Sequence, residues 1–427
     1  MKVAVIGGGY AGMAAAVTLA DAGVPVTVYE AASQLGGRAR RVVVNDVALD
    51  NGLHILLGAY TETLRLVGSV RDANSALWRL PLEWHVYGRF RLKLARVPAP
   101  LHLVAALLTV RGASWGERLA AARFLSAMRA QAFRLQRDTT VALLLEAHRQ
   151  GSHFTRHLWE PLCLAALNTP AHIASAQVFL NVLRDGLDAG RDSADIVLAR
   201  IDLSALFPEP AADHVRRRGG RVLTDHRITE IRLADSKVRV TTRDTGADYD
   251  HVICAASPQS VAGLLSHMPP LAKVVELISA FRYQPIYSVF LQFAAPVKLP
   301  QPMLALDGDA QWVFDRGAIL GQPGLLGAVI SAAGALRATS QDDIAIRVHE
   351  ELRTSFGPLP PLAWHRVIAE KRATIECTVD LKRPLTRTPL PNVHLAGDYT
   401  ASGYPATIET AVRSGIAAAN EVLQRQL

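Results

Sequence analysis

The segment KVAVIGGGYAGMAAAVTLADAGVPVTVYE, residues 2–30, decides the fold. Residues 2–6 form a short apolar run rich in valine, which is typical of a strand that is covered on both faces. Gly7, Gly9 and Gly12 then give the pattern G-x-G-x-x-G. The first glycine permits a tight turn, the second lets the backbone approach a pyrophosphate, and the third lets the next helix pack closely against the strand.

The remainder of the segment completes a nucleotide-binding unit. The helix is predicted to run to about Ala22 and to stop at Gly23, with Pro25 beyond it. A second strand, VPVTVYE, ends at Glu30, whose carboxylate is placed to accept hydrogen bonds from ribose hydroxyls. The helix N-terminus favours a phosphate, because its N–H groups are free and its dipole attracts anions. The order of strand, glycines, helix, strand and acid therefore predicts binding of ADP-ribose.

The sequence AASQLGGRARR follows the acid directly. Gly36 and Gly37 would bring the backbone close to a cofactor, and Arg38 would add a fixed cation near its phosphates. We interpret Arg40 and Arg41 as surface charge. The GGR sequence resembles that of the amine oxidase and phytoene desaturase superfamily of flavoproteins. This resemblance implies that the segment lies along a non-covalently bound FAD.

The C-terminal stretch NVHLAGDYTASGYPATIETAVRSGIAAANEVL combines a short strand, a Gly-Asp pair and a helix. The resemblance implies that Gly397 and Asp398 lie at the ribitol and pyrophosphate of FAD. We predict a helix from Thr407, because a proline such as Pro405 is common at helix starts. Its N-terminus would point at the flavin pyrimidine and stabilise the negative charge of reduced flavin. The resemblance also implies that the backbone N–H of Ile408 meets flavin O2.

Two middle segments are predicted to complete the cofactor domain. RRRGGRVLTDHRITEIRL indicates a helix end, a turn and two strands, and the resemblance implies that backbone at Ile228 holds the adenine. YDHVICAASP indicates a buried strand of the same sheet. We therefore predict an α/β fold with a discontinuous Rossmann-like FAD-binding domain and a mixed α+β substrate domain that carries an apolar helical insertion.

The domain boundaries follow from these segments. We expect the FAD-binding domain to comprise residues 1–80, 195–265 and 370–427, and the substrate domain to comprise 81–194 and 266–369, with 98–190 largely helical and 280–368 rich in strands. The glycines of GQPGLLG, residues 321–327, are interpreted as a loop, because a proline interrupts them and no clear strand precedes them. Because the sequence has no second dinucleotide fingerprint, we expect no nicotinamide site of the standard kind, and electrons are expected to come from, or go to, an external carrier.

The stretch DNGLHILLGAY, residues 50–60, is expected to form a turn that touches the flavin ring, as the superfamily resemblance implies. Gly52 would let the backbone pass close to the isoalloxazine. Histidine can donate a proton near neutral pH, and an adjacent carboxylate could raise its pKa, so His54 is the first candidate for a catalytic acid. The alternative is that His54 only hydrogen-bonds to flavin or backbone. Asp50 is interpreted as structural, holding the turn.

Glu160, in HLWEPL, is the second candidate for the acid. A carboxylic acid inside an apolar helical domain would stay protonated and could donate. The alternative is an ordinary surface or capping glutamate. Tyr399 and Tyr404 resemble the aromatic pair that faces flavin in amine oxidases, but their spacing differs, so we assign them to packing or to the pocket wall.

Seven motifs together narrow the resemblance to one group: GGRAR, LDNGLHILLGAYTETLRL, LWEPLCLAALNTP, FPEPAADHVRRRGGRV, QWVFDRG, EKRAT and AGDYTASGYPATIETAVRSG. They resemble the squalene-associated FAD-dependent desaturases, now called hydroxysqualene dehydroxylases, over nearly the whole chain. The resemblance implies reductive loss of the hydroxyl group of hydroxysqualene to give squalene in hopanoid biosynthesis. Reduced FAD would donate the hydride, after or together with proton-assisted loss of water. Such chemistry needs an apolar tunnel, an acid and exclusion of water.

Two other functions stay open at this point. A phytoene or carotenoid desaturase would share the fold, the cofactor and an apolar substrate, but it would oxidise with an external acceptor. A non-catalytic isoprenoid-binding scaffold would keep FAD as structure. An amine oxidase is disfavoured, because a polyamine needs acidic pocket walls and the predicted insertion is apolar.

Composition limits the partners and the compartment. Three scattered cysteines and the absence of metal-ligand spacing suggest a reducing cytoplasm, no disulfide framework and no metal. The net charge of +8 is accompanied by no nucleic-acid-binding motif, so we expect no nucleic acid partner. We predict no membrane span, because no apolar run reaches about 18 residues.

The apolar run VPAPLHLVAALLTV, residues 97–110, has basic residues on both sides. They are Arg89, Arg91, Lys93 and Arg96 before it, and Arg111 after it. This arrangement suits peripheral contact with the inner face of the cytoplasmic membrane. A buried helix at a domain junction explains the run equally well. The preceding strand GRFRLKLARV alternates basic and apolar residues and offers an entrance for a substrate that arrives from lipid.

Overall fold

The structure is a computed structural model of the 427-residue chain. It describes residues 1–95, 97, 101–188, 190, 192–332, 336 and 338–425. Arg96, which belongs to the predicted basic flank, and Pro98, where the predicted helical stretch begins, lie outside the described residues.

Strands are numbered here in chain order. In the described part of the chain they are β1 Val3–Ile6, β2 Val26–Tyr29, β3 Arg41–Val44, β4 Val47–Asp50, β5 Leu56–Leu57, β6 Leu77–Leu80, β7 Glu83–Val86, β8 Phe90–Lys93, β9 Ile196–Ala199, β10 Arg221–Leu223, β11 Glu230–Ala234, β12 Lys237–Thr241, β13 Gly246–Tyr249, β14 His251–Cys254, β15 Tyr283–Phe293, β16 Met303–Ala305, β17 Trp312–Asp315, β18 Leu325–Ser331, β19 Leu362–Ile375 and β20 Val393–Leu395.

Helices are numbered in the same way. They are α1 Tyr10–Asp21, α2 Thr61–Val70, α3 Ala73–Ala76, α4 Leu101–Thr109, α5 Trp115–Ala130, α6 Val141–Ala147, α7 Ser152–Phe154, α8 Glu160–Leu167, α9 Ala176–Leu183, α10 Leu203–Leu206, α11 Pro208–Arg217, α12 Pro258–Leu265, α13 Ala272–Ser279, α14 Arg316–Leu320, α15 Gln341–Phe356 and α16 Ile408–Gln424. Segments of π-helix at Thr155–Trp159 and Arg184–Asp188 adjoin α8 and α9.

The nucleotide-binding half is built on a five-stranded parallel sheet in the order β10-β2-β1-β14-β20. Its strands come from the beginning, the middle and the end of the chain, as the separated segments predict. Alanine-rich α1 is buried nearly all round, which is typical of a helix enclosed by protein on every side. A Cβ at Gly415 would lie 2.1 Å from the carbonyl oxygen of Ala11, so α16 packs with its backbone very close to that of α1.

The second half is built on a seven-stranded sheet in the order β19-β15-β18-β17-β16-β7-β8. Its pairs are antiparallel except β16 with β7. An apolar core between this sheet and the helices α4 to α9 includes Trp84, Phe124, Trp159 and Trp312. Within the described residues, no helix has both the length and the apolar character needed to cross a bilayer.

Most of the predicted elements are confirmed, and two expectations need correction. The predicted loop at residues 321–327 is wrong for its last three residues, because β18 begins at Leu325 and is buried in the sheet. The stretch expected to be rich in strands also contains the sixteen-residue helix α15, which packs its apolar face on β15 and β19. The three-piece division into domains stays a prediction.

Candidate functional site

The turn between β1 and α1 has the close packing that the glycine pattern predicts. Gly7 has a φ of +113°, a conformation that glycine adopts without strain. A Cβ at Gly12 would lie 1.9 Å from the carbonyl oxygen of Gly7, so the protein itself excludes a side chain there. A Cβ at Gly9 would meet no protein atom closer than 3.8 Å. The missing side chain at Gly9 is thus not demanded by packing, and it leaves room beside the N-terminus of α1.

Glu30 follows β2 and lies against the same turn. Its Oε2 accepts a hydrogen bond of 2.7 Å from the backbone N–H of Gly8, and its Oε1 accepts one of 2.8 Å from that of Ala32. A carboxylate offers about four acceptor positions. The two that remain are available to ribose hydroxyls, as the fingerprint predicts.

The GGR segment joins the two ends of the chain. Gly36 and Gly37 have φ values of +117° and +62°, and the N–H of Gly36 donates to the carbonyl of Gly8 over 3.0 Å. Arg38 donates from Nη2 to Oδ1 of Asp398 over 2.6 Å and from Nη1 to the carbonyl of Ala373 over 2.5 Å. Asp398 is buried, so the cation that we expected near the phosphates is held and partly neutralised by a carboxylate.

The two arginines that follow are not free surface charges. Arg41 pairs with Asp202 at 3.0 Å and with Glu209 at 2.7 Å, and only 28% of its side chain is exposed. Arg40 donates to the carbonyl of Gly37 over 2.9 Å. The interpretation of Arg41 as surface charge is therefore wrong, since the residue ties the start of β3 to α10 and α11.

Asp50 ends β4 and is buried next to Arg316, whose side chain is 1% exposed. Its Oδ1 accepts a 2.8 Å hydrogen bond from the N–H of Leu203, and its Oδ2 lies 3.6 Å from the Arg316 guanidinium. Burial raises the pKa of Asp50 to about 6, against the lowering effect of Arg316. Burial likewise lowers the pKa of Arg316. These contacts are the ones expected of a residue that holds the turn.

His54 lies two residues beyond Gly52 and bonds back to it. The distance from its Nδ1 to the carbonyl oxygen of Gly52 is 2.7 Å. Because a carbonyl only accepts, Nδ1 carries the hydrogen, and Nε2 of the neutral ring is an acceptor. Burial lowers the pKa of His54, and the charge of Arg38 lowers it further. The expectation that a carboxylate raises the pKa of His54 is therefore wrong.

The C-terminal Gly-Asp pair leads into α16 through a turn that favours glycine. Gly397 has a φ of +154°, and its N–H donates to Oγ of Ser414 over 2.7 Å. Thr407 caps α16, since its Oγ1 accepts from the N–H of Thr410 over 3.2 Å. Ile408 is the first helical residue, one position after the predicted start at Thr407. Its backbone N–H therefore belongs to the first turn of the helix, where N–H groups have no partner within the helix.

Ile228 occupies the connection between β10 and β11. Its side chain is 7% exposed and belongs to the apolar cluster that contains Tyr29 and Tyr249. The residue thus lies at the edge of the parallel sheet beside β2, the strand that leads to Glu30.

A large cavity lies between the helices α4, α5, α8 and α9 and the seven-stranded sheet. The unfilled space between its walls is about 1590 Å³, a figure that includes open solvent at the mouth. Most of its wall is apolar and includes Leu82, Trp84, Leu107, Leu162 and Trp312. Such a wall can hold a long hydrocarbon and exclude water from it.

The polar side chains of this cavity wall are concentrated near the start of α16. The helix contributes Glu409, Thr410 and Arg413, and the turn before it contributes Tyr404 and Thr407. Asp185 faces them from the π-helical segment after α9. The cavity therefore has a long apolar part and a polar end beside the α16 N-terminus. His54 does not line it: His54, Asp50 and Arg316 surround a second, smaller pocket.

Comparison with protein families then identifies the chain. The model of the flavin containing amine oxidoreductases matches residues 10–423. The chain belongs to this family.

Curated relatives align with this chain over nearly its full length. Hydroxysqualene dehydroxylase of Rhodopseudomonas palustris is 32% identical and aligns with 99% of this chain and 98% of its own, and that of Zymomonas mobilis is 27% identical over 98% of each. Zeta-carotene desaturase of Synechocystis is 25% identical over 100% and 98%. The structure of putrescine oxidase superimposes with a TM-score of 0.72 at 16% identity over 100% of both chains, which shows the same fold.

This member of the flavin containing amine oxidoreductases is an FAD-dependent oxidoreductase, and its residues suit FAD. The open space at Gly9 and the two free acceptor positions of Glu30 suit a pyrophosphate and a ribose. The first turn of α16, capped by Thr407, has N–H groups without helical partners, which suit the flavin pyrimidine. Gly7, Glu30 and Gly397 follow the last residues of β1, β2 and β20 closely, so these three proposed FAD residues lie at the carboxyl edge of the parallel sheet.

Glu160 is not where the sequence suggested. It is the first residue of α8, and its side chain is exposed to solvent and lines neither pocket. Trp159 and Cys163, four residues apart, take the buried face of the helix and leave Glu160 on the other side. The expectation of a protonated acid inside an apolar domain is therefore wrong for this residue.

The two tyrosines have different places. Tyr399 is 1% exposed and packs edge-on against Phe281, away from the cavity. Tyr404 lines the polar end of the cavity. Packing therefore describes Tyr399, and pocket wall describes Tyr404.

The sequence reasoning missed several residues. Arg316 lies in the quoted motif QWVFDRG, and its partnership with the distant Asp50 shows only in three dimensions. Arg184 and Asp185 form the charged pair of VLRDGLD, an interruption of an apolar helical stretch that could have signalled a polar spot in the cavity wall.

Proposed function

We propose that this enzyme removes the hydroxyl group of hydroxysqualene to give squalene, with FAD as the redox cofactor. The observation that carries the proposal is the large apolar cavity whose polar end lies at the N-terminus of α16. Its apolar wall suits a long hydrocarbon chain, and its polar end suits the single hydroxyl group. Full-length similarity to hydroxysqualene dehydroxylases supports the same reaction.

The cavity wall and the N-terminus of α16 have different roles in this reaction. The leucines and tryptophans of the cavity wall hold the hydrocarbon and keep water away from an electron-poor carbon. Reduced FAD, when bound, supplies a hydride to that carbon. The α16 N-terminus, through its free N–H groups and dipole, stabilises negative charge beside it.

Loss of the hydroxyl group also needs a proton. His54 remains the donor that we propose from the sequence, and two observations oppose that role. Its pKa is lowered, and it lines the smaller pocket rather than the cavity. A donor role for His54 requires that its Nε2 be protonated first, and this gives the role a distinctive pH dependence.

The decisive experiment is product analysis. Purified protein with FAD, dithionite and hydroxysqualene, kept under anaerobic conditions, should form squalene that gas chromatography detects, and omission of dithionite should stop it. Leu162→Trp, which fills part of the cavity, should reduce product formation while FAD content stays the same. Ile346→Trp, on the exposed face of α15, is the matched control and should leave product formation unchanged.

A second function is supported by the similarity to zeta-carotene desaturase. A desaturase would need oxidised flavin and an external acceptor, and it would lengthen a conjugated polyene. Product only under oxidising conditions would therefore favour this alternative. A flavin that never turns over with any polyprenyl substrate would favour the non-catalytic scaffold.

We also propose that α4 and α5 contact the surface of a membrane at the entrance of the cavity. Five large apolar side chains on these helices are more than half exposed: Leu101, Val104 and Leu108 on α4, and Trp115 and Leu119 on α5. The opposite face of α4 lines the cavity with Leu103, Ala106 and Leu107. A buried helix, the alternative from the sequence, does not fit this exposure.

The charges nearby support the same contact. Arg89, Lys93 and Arg111 are exposed beside this apolar surface, and Arg118 lies over the Trp115 ring at 4.5 Å. Basic residues at the edge of an apolar face favour anionic lipid headgroups. A substrate dissolved in lipid could then pass beside α4 into the cavity.

Flotation with liposomes that contain anionic lipid tests the contact. The wild-type protein should float with the liposomes at low salt, whereas the double variant Val104→Asp with Leu108→Asp should remain in the soluble fraction, because two carboxylates replace apolar contacts with the lipid. Ile346→Asp, an equally exposed apolar residue on α15, should float like the wild type. Wild-type protein that stays entirely soluble would contradict the proposal.

A further inference from the structure

A cluster of three polar side chains marks the polar end of the cavity. Arg184 donates to Asp185 from Nε over 2.6 Å and from Nη2 over 3.1 Å, and Tyr404 also donates to Oδ2 of Asp185. Asp185 and Tyr404 line the cavity, where most of the other lining side chains are apolar. The cluster connects the segment after α9 to the turn before α16.

The other charged side chains at this end are already occupied. Glu409 accepts from the N–H groups of Glu62 and Thr63, from the hydroxyl of Thr63 and from Arg413. Arg413 also donates to Thr61. These bonds fix α16 to α2. Among the described residues of the cavity wall, they leave Asp185 as the carboxylate that is not tied to backbone N–H groups.

Asp185 has an acceptor position to spare. A carboxylate offers about four, two on each oxygen. Oδ2 uses two of them for Tyr404 and Arg184 Nη2, whereas Oδ1 uses one for Arg184 Nε. Burial by itself would raise the pKa of Asp185, but the hydrogen bonds from Arg184 and Tyr404 bring it below its usual value, so the group is ionised at neutral pH. An ionised carboxylate accepts hydrogen bonds and donates none.

We propose that Asp185, held in place by Arg184 and Tyr404, accepts a hydrogen bond from the hydroxyl group of a long-chain alcohol bound in the cavity. The inference rests on the proposed function and names the residue that selects the alcohol. Asp185 binds the substrate, and Arg184 and Tyr404 are positioning residues. The hydroxyl-bearing carbon is thereby placed beside the N-terminus of α16.

This assignment predicts different affinities of the cavity for the substrate and for the product. The alcohol satisfies the free acceptor position of Asp185, and a hydrocarbon cannot. Burying that position against hydrocarbon without a hydrogen bond costs free energy. The cavity should therefore bind the alcohol more tightly than the hydrocarbon that remains after dehydroxylation, which favours release of the product.

The test measures binding without turnover. Holoenzyme with oxidised FAD is titrated with hydroxysqualene and with squalene in detergent micelles, and the fluorescence of the cavity residues Trp84, Trp159 and Trp312 reports binding. The wild type should bind the alcohol more tightly. In Asp185→Leu the Kd for the alcohol should rise about tenfold, as expected for the loss of one hydrogen bond to a charged group, and the Kd for squalene should not rise.

Two further variants separate recognition from general damage. Tyr404→Phe should raise the Kd for the alcohol by about threefold, because Asp185 stays but loses one of the hydrogen bonds that orient it. Asp307→Leu removes an arginine-paired aspartate outside the cavity and is the matched control, for which both Kd values should stay at the wild-type level.

The ratio of the Kd for hydroxysqualene to the Kd for squalene decides the test, because a merely structural defect weakens the binding of both ligands. An unchanged ratio in Asp185→Leu, or a wild type that does not distinguish alcohol from hydrocarbon, overturns the inference even where squalene is formed. Preferential binding of the alcohol that depends on Asp185, in an enzyme that forms no squalene, supports the inference and refutes the proposed function alone.

Discussion

The nucleotide-binding turn and the apolar cavity are shaped by opposite means. In the turn, backbone meets backbone, and one methyl group at Gly12 would come within 1.9 Å of a carbonyl oxygen. In the cavity, side chains from several distant elements enclose a space that no single contact defines. The turn is thus specified by a few residues close in sequence, whereas the cavity depends on how helices pack across a sheet.

This difference indicates which positions of each half of the protein can accept a substitution. Backbone packing of this kind tolerates no additional atoms, because neither partner can rotate away. A wall that faces open space loses few contacts when a side chain is shortened. We therefore expect the turn to be intolerant of substitution and the cavity to accept changes that alter the ligand rather than the fold.

The largest effect is expected from Gly12→Ala. The added Cβ would overlap the carbonyl of Gly7, so α1 could not stay packed on β1 and the folded holoprotein should be lost. Absorbance of flavin in the purified protein and circular dichroism measure the outcome. Gly68→Ala in α2, where a Cβ meets nothing within 4 Å, is the control and should keep both signals. A yellow, folded Gly12→Ala protein would contradict the account of the turn.

A pair of leucines sharpens the comparison directly. Leu19 of α1 is 0% exposed and surrounded by packed atoms, so Leu19→Ala should lower the free energy of unfolding by about 4 kcal/mol. Leu162 of α8 faces the cavity, so Leu162→Ala should cost only about 1 kcal/mol, because few contacts are lost. Urea denaturation gives both values. Equal losses of unfolding free energy in the two variants would show that Leu162 is as tightly packed in solution as Leu19, and would contradict an open cavity.

The buried pair of Asp50 and Arg316 predicts a pH effect. The folded pKa of Asp50, about 6, lies above its ordinary value of 3.8, so the folded state binds the proton more tightly than the unfolded state. Asp50 therefore makes its full contribution to stability below about pH 4, and this contribution is lost as the pH rises through about 6. Each pKa unit is worth about 1.4 kcal/mol, so the loss amounts to about 3 kcal/mol.

Asp50→Asn removes this titration and keeps an acceptor for the N–H of Leu203. The difference in unfolding free energy between wild type and Asp50→Asn, measured in urea from pH 4 to pH 7, should change by this amount in favour of the variant. Asp213→Asn, which removes a carboxylate from the exposed surface of α11, is the matched control. A difference for Asp50→Asn that does not change with pH would contradict the raised pKa.

The smallest effect concerns His54. If it donates the proton, kcat should increase as the pH falls below 6.5, because the lowered pKa leaves the ring neutral at neutral pH. His54→Gln, which can still donate to the carbonyl of Gly52, should abolish this pH dependence and lower kcat. Steady-state rates between pH 5 and pH 8 decide the question. A profile that is the same in wild type and variant would leave His54 with a structural hydrogen bond only.

The FAD-binding half could be predicted in detail, because its determinants are local. Gly7 and Gly12 act on backbone within a few residues, Glu30 follows the next strand and bonds to the same turn, and the C-terminal helix starts within one residue of the predicted position. The cavity half could be predicted only as an apolar helical region. Glu160 shows why: an acid in an apolar segment can lie on either face of a helix, and packing of the neighbouring residues decides which.

The sequence by itself determined the parallel sheet and the nucleotide-binding turn, because the steric demands of glycine and the periodicity of strands are properties of the local chain. The choice of FAD as the cofactor came from the resemblance that the GGR segment carries. Only the tertiary structure decided that Asp50 meets Arg316, that Arg38 meets Asp398, and that Asp185 meets Tyr404 at the polar end of the cavity. These contacts join residues that are far apart in the sequence, and burial, which sets their electrostatics, exists only once the chain has folded.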